Sequence, residues 1–83
     1  MVTKRMRWVD KQRYGFILER LAAGRLRRQE LMDHFEVSMP TASTVFRNFQ
    51  EAYPDAMRYD SHIKAYVQGH KFLDHYQRAE APN

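Results

Sequence analysis

The stretch between Leu26 and Tyr53 constrains the fold of this chain more than any other, because it holds two helix-length apolar patterns separated by a few polar residues. In the second pattern Ala42, Phe46, Phe49 and Tyr53 recur at helical spacing with Val45 beside them, so one face must pack inward. Ser38 suits the N-cap, its hydroxyl accepting from the Thr41 N–H. Pro40 falls in the first turn, where its missing N–H costs nothing, and Pro54 stops the helix. The outer face then carries Pro40, Ser43, Thr44 and Arg47, all short or able to hydrogen-bond. In the first pattern Leu26, Leu31, Met32 and Phe35 predict a helix from about Arg28 to Phe35, linked onward by a Glu36, Val37, Ser38 turn with Val37 as its apolar plug. Two short helices joined this tightly form a helix-turn-helix, whose second helix suits a DNA major groove.

The surrounding chain limits what can be built around that motif. Eighty-three residues support one small core, and a single domain over 1–83 is expected. At 43% apolar and 13% aromatic the chain is too hydrophobic for disorder. No stretch approaches the roughly 18 apolar residues of a membrane span, and the basic start lacks the apolar centre of a signal peptide. Without cysteine there are no disulfides or thiolate metal sites, which fits an expected cytoplasmic location. Basic residues concentrate at one end: residues 1–28 hold nine Lys or Arg against two Asp or Glu, 29–56 one against five, and 57–83 four against three. A solvated charged surface is the ordinary reading of such a run; a phosphate-binding footprint is the alternative.

Before the motif, 1–7 is expected to be a flexible basic arm. Tyr14, Ile17, Leu18, Leu21 and Ala22 then predict a helix from about Val9 to Ala23, stopped at Gly24, with Trp8 packing on the core, the usual fate of a lone Trp, or on a second subunit. After Pro54, Met57 with Tyr59 and Tyr66 with Val67 lie in short strand-forming segments around Asp60, Ser61 and His62, and Gly69 closes the pattern. Two strands alone are marginal in water, so the hairpin must lean on the helices, through Met57, Tyr59 and Tyr66. A last helical piece over about Lys71 to Tyr76 and a frayed tail over 77–83 complete the reading. Three helices followed by a hairpin give a mainly α fold with a small β-hairpin, a winged helix-turn-helix.

Gly24, Arg28, Leu31, Phe35, Val37-Ser38, Ala42-Ser43, Phe49, Pro54, Tyr59-Asp60, Lys64, Tyr66 and Phe72 together resemble the N-terminal winged-helix domain of WYL-domain transcriptional regulators. The pattern is most similar to the repressors that accompany bacterial anti-phage defence systems, and it spans about Trp8 to Phe72. The resemblance implies a homodimeric repressor on an inverted repeat, the helix from about Ser38 in the major groove and the hairpin near Ser61 to Lys64 at the backbone. Two residues depart from the family's habit: Arg27 where a small N-cap is usual, and Val45 where a polar residue is common. The WYL domain has no counterpart here, so no small-molecule site is expected within this chain.

The base-reading candidates are Pro40, Thr41, Ser43, Thr44, Arg47 and Asn48. Arg47 lies about 140° around the helix from Ala42, and its planar fork matches the guanine O6 and N7 acceptors. An ion pair with Glu51, four residues on, is the competing use of Arg47. The backbone candidates are Lys4, Arg5, Arg7, Arg28, Ser38, Ser61, His62 and Lys64, with Arg28 opening the helix that crosses the phosphates. An enzyme would need a convergent nucleophile, base and charge stabiliser, and none emerges. His34, His62, His70 and His75 are scattered, and no metal or cofactor is expected. Double-stranded DNA is the expected partner, with no membrane role. The alternative is a winged helix that docks protein without reading bases.

Overall fold

The computed structural model describes residues 7–80. Its elements run α1 (Trp8–Ala22), α2 (Arg28–Phe35), α3 (Met39–Ala52), β1 (Met57–Asp60), β2 (Ala65–Gln68) and α4 (Phe72–Glu80). This is a winged helix-turn-helix with one added helix, mainly α as the sequence predicts.

The core forms where the helical periods converge. Tyr14, Ile17, Leu18 and Leu21 from α1 meet Leu31 from α2 and Ala42, Val45, Phe46 and Phe49 from α3. Ile17, Leu21, Leu26, Leu31 and Phe49 are fully buried. Burying side chains of this size contributes about 1.5–3 kcal/mol each. Tyr14 sets its ring edge against both Phe49 and Tyr53, at 5.7 and 5.9 Å, joining α1 to the far end of α3.

Three expectations fail around this core. Trp8 is 74% exposed, because it opens α1 well over one turn before the first buried residue, Tyr14. Ala22 is exposed at the last position of α1. Leu26 belongs to no helix: its N–H donates to Tyr66 O and its carbonyl accepts from Tyr66 N–H, both at 2.8 Å, making it a one-residue third strand beside β2.

β1 and β2 pair antiparallel with Met57 opposite Gln68 and Tyr59 opposite Tyr66. The hairpin leans on the helices through Met57 and Tyr66, the Tyr66 ring stacking on Phe46 of α3 at 4.6 Å. Tyr59 does not lean on them. It is 54% exposed although it lies on the same side of the ribbon as Met57 and Tyr66, and among the ring contacts it touches only the edge of Tyr66.

Between α3 and β1, Tyr53 to Ala56 form a tight turn in which Ala56 N–H donates to Tyr53 O at 3.1 Å, with Pro54 second and Asp55 third at φ 62°. Gly69 packs flat on this turn: its N–H donates to Ala56 O, and a Cβ there would stand 2.3 Å from the Asp55 carbonyl oxygen. Close approach, not a strand break, is what requires the glycine. α4 continues to Glu80, past the end expected at Tyr76, so the first part of the expected frayed tail is helical. Phe72 is buried, and His75 Nε2 donates to Pro54 O at 2.8 Å, tying α4 to the end of α3.

Candidate nucleic-acid interface

α3 presents a face with two characters. Ala42, Val45, Phe46 and Phe49 are buried, while Pro40, Ser43, Thr44, Arg47 and Asn48 are exposed and Thr41 is half-buried. Ser38 caps the helix as its sequence implies, its hydroxyl accepting from Thr41 N–H at 3.4 Å and donating to Thr41 Oγ1 at 3.2 Å. Among the described residues Arg47 makes no hydrogen bond or ion pair, including with Glu51. Its side chain is exposed, with no polar partner among the described residues.

The α2–α3 turn sets where that face points. Glu36 takes a left-handed conformation at φ 54° and Val37 N–H donates to Met32 O at 3.1 Å, closing α2 as a C-cap usually does with glycine. At the other end of α2, Arg27 occupies the N-cap without offering a side-chain acceptor. Glu30 does the work instead, its Oε1 accepting from Arg27 N–H at 2.8 Å and its Oε2 from Arg20 Nη2 at 3.0 Å. One carboxylate thus caps α2 and fixes it against α1.

Two candidates from separate groups meet. Arg28, expected at the phosphates, donates from Nη1 to the Oγ of Ser43, expected at the bases, at 3.2 Å. The bond holds a guanidinium across the first half of the outer face of α3. No periodicity signals it, because the two residues are fifteen apart on different helices.

Ser61, His62 and Lys64 sit together on the exposed turn of the hairpin. His62 N–H donates to Asp60 Oδ1 at 2.9 Å and Lys64 is left-handed at φ 54°, so an Asx-type turn and one strained residue shape the tip. Arg58, exposed on β1, adds a cation that sequence reasoning missed; strand alternation after the buried Met57 is the signal that points to it. Arg25 and Arg27 are likewise exposed beside the start of α2.

The expected basic arm divides. Lys4 and Arg5 lie outside the described residues. Arg7 closes the start of α1, donating from Nε to Asp10 Oδ2 at 3.0 Å and from Nη2 to Asp10 Oδ1 at 3.3 Å. That hydrogen bond holds the Asp10 carboxyl below its ordinary range and raises Arg7. Among the described residues no group of three or more His, Asp or Glu is arranged to hold a metal, and no helix is long and apolar enough to cross a membrane.

A capped helix with a polar outer face, set by a tight turn and flanked by a hairpin, defines a winged helix-turn-helix of the regulator type. The family described as the BrxR transcriptional regulator winged helix-turn-helix domain matches residues 10–82, and the chain belongs to it. Over 80 residues the chain is 32% identical to the DNA-binding transcriptional repressor CapW of Stenotrophomonas maltophilia. That match covers 95% of this chain and 27% of the relative, so the chain spans about a quarter of that protein's length.

Proposed function

We propose that this chain binds double-stranded DNA by sequence and acts as a transcriptional repressor, not an enzyme, working in the cytoplasm as a homodimer on an inverted repeat. The observation that carries the reading is the division of α3 into a buried apolar face and an exposed polar one on which Arg47 is unpaired among the described residues. Thr44, Arg47 and Asn48 face base edges, with Pro40, Thr41 and Ser43 nearer the backbone. Arg47 suits guanine through two parallel hydrogen bonds. Arg28, Ser38, Ser61, His62 and Lys64 meet phosphates, with Lys4, Arg5 and Arg7 extending the basic side. The membership of a regulator family and the DNA-binding repressor among its relatives support the same reading.

Selection of bound sequences from a random duplex library tests it. Two copies related by a two-fold axis should enrich an inverted repeat whose half-sites lie about 34–36 Å apart, or a multiple of that. Recovery of no sequence above the starting pool would instead favour a module that docks protein.

A further inference from the structure

The outward face of α1 is unlike that of α3. It carries Trp8, Lys11, Gly15, Glu19 and Ala22, a spacing that is symmetric about Gly15. Beside it, between α1 and α2, runs an open groove of about 440 Å³ lined by Lys11, Gly15, Phe16, Glu19, His34 and Phe35. Its wall is aromatic: the Phe16 ring stacks on His34 at 4.3 Å and meets Phe35 edge-on at 5.5 Å.

Glycine in the middle of a helix is disfavoured against alanine. Nothing among the described residues asks for it, because a Cβ at Gly15 would meet none of their atoms within 4 Å. A glycine with open space in front of it permits a second backbone to come close. Trp8, 74% exposed at one end of this face, is an apolar knob without a socket among the described residues.

We propose that this face joins two copies of the chain, their α1 helices antiparallel about a two-fold axis at Gly15. The charges select that occupant. Such an axis brings Lys11 level with the partner's Glu19 and Glu19 level with the partner's Lys11, each pair about 6 Å along the helix from the axis. Trp8 then covers the partner's Ala22, an apolar residue otherwise left in water. A parallel pairing would set like charges opposite each other and is disfavoured. The interface is isologous, as a two-fold dimer requires. This surface rests on the homodimer named above and supplies its contact.

The chain has no cysteine and one tryptophan, so both make clean probes. Gly15→Cys places one thiol at the axis, where two Cα atoms within about 7 Å can be bridged. Mild oxidation should give a covalent dimer, and Trp8 emission should shift to the blue as protein concentration rises. In sedimentation equilibrium, K11E and E19K should each weaken self-association about tenfold, while their equimolar mixture associates like the parent, since every pair then joins opposite charges. A dimer that forms without the Gly15→Cys cross-link, or that ignores both charge reversals, would overturn this surface and leave the homodimer standing. A chain that stays monomeric both free and on its selected inverted repeat would overturn the homodimer as well; base preference in the selection experiment reports on DNA reading separately.

Discussion

α3 and the hairpin differ in what holds them. α3 is fixed by a side-chain N-cap, four buried residues and ring contacts to α1 at its far end. The hairpin has four residues per strand and is anchored at few points: the stack of Tyr66 on Phe46, the Leu26 bridge, the buried Met57 and Ala65, and Gln68 Nε2 donating to Leu21 O at 2.9 Å. Its tip, with Ser61, His62, Ile63 and Lys64 all exposed, is anchored least. Reading base edges needs side chains held to a fraction of an ångström, which a packed helix provides. Holding phosphates needs only charge within reach, which an exposed turn can supply. The proposed division of labour, with α3 reading and the hairpin holding, follows from that contrast.

Substitutions can break the contrast in order of size. Phe49→Ala removes the buried centre of α3 and should cost about 3–5 kcal/mol, unfolding helix and hairpin together in urea titration. Were the hairpin to survive that change, the two regions would not share a core. Gly69→Ala drives a methyl toward the Asp55 carbonyl at the junction of hairpin and α4, and a loss of about 1–3 kcal/mol in thermal or urea unfolding is expected. A neutral result would mean that the turn at Pro54 gives way easily.

Lys64→Ala should leave the fold intact and weaken all DNA sequences alike, lowering the slope of log affinity against log salt by roughly 1 per subunit. A changed sequence preference would make the hairpin a reader and erase the contrast. The smallest effect concerns pH. Burial raises the Tyr14 and Tyr53 hydroxyls above their ordinary value of 10.0, because the charged form loses its water. In the unfolded chain the proton leaves first, so alkali favours unfolding. This contribution is complete below about pH 10 and disappears as pH rises through the folded values. The melting temperature of the parent should therefore fall more steeply above pH 10 than that of Tyr53→Phe.

Legibility in the sequence followed the strength of local signals. α3 was readable almost to the residue, since Ser38, Pro40 and Pro54 mark its ends and four apolar residues mark its face. α2 was readable from the spacing of Leu31, Met32 and Phe35, without comparable end signals. The hairpin was recognisable from its strand formers, but Tyr59 is exposed although alternation sets it on the face of the buried Met57, because residue type does not reveal how much of that face the helices cover. Trp8 and Ala22 are apolar yet exposed, because they stand at the two ends of α1, where position decides burial more than residue type does. The Arg28 to Ser43 bond and the cap supplied by Glu30 depend on how helices cross, which sequence spacing does not encode. Arg47 was placed outward by periodicity alone, and its freedom from Glu51 became visible only with side chains in place.

The central claim is that Arg47 on α3 reads a base while Lys64 on the hairpin does not. The direct measurement is the affinity of the parent, Arg47→Ala and Lys64→Ala for the selected duplex and for random duplex at one salt concentration. Arg47→Ala should lose about 1–3 kcal/mol on the selected site and much less on random DNA, with choice relaxed at one position per half-site and the melting temperature unchanged. Lys64→Ala should lose the same on both. Equal losses on the two duplexes for Arg47→Ala would reduce that residue to a phosphate contact and contradict the account.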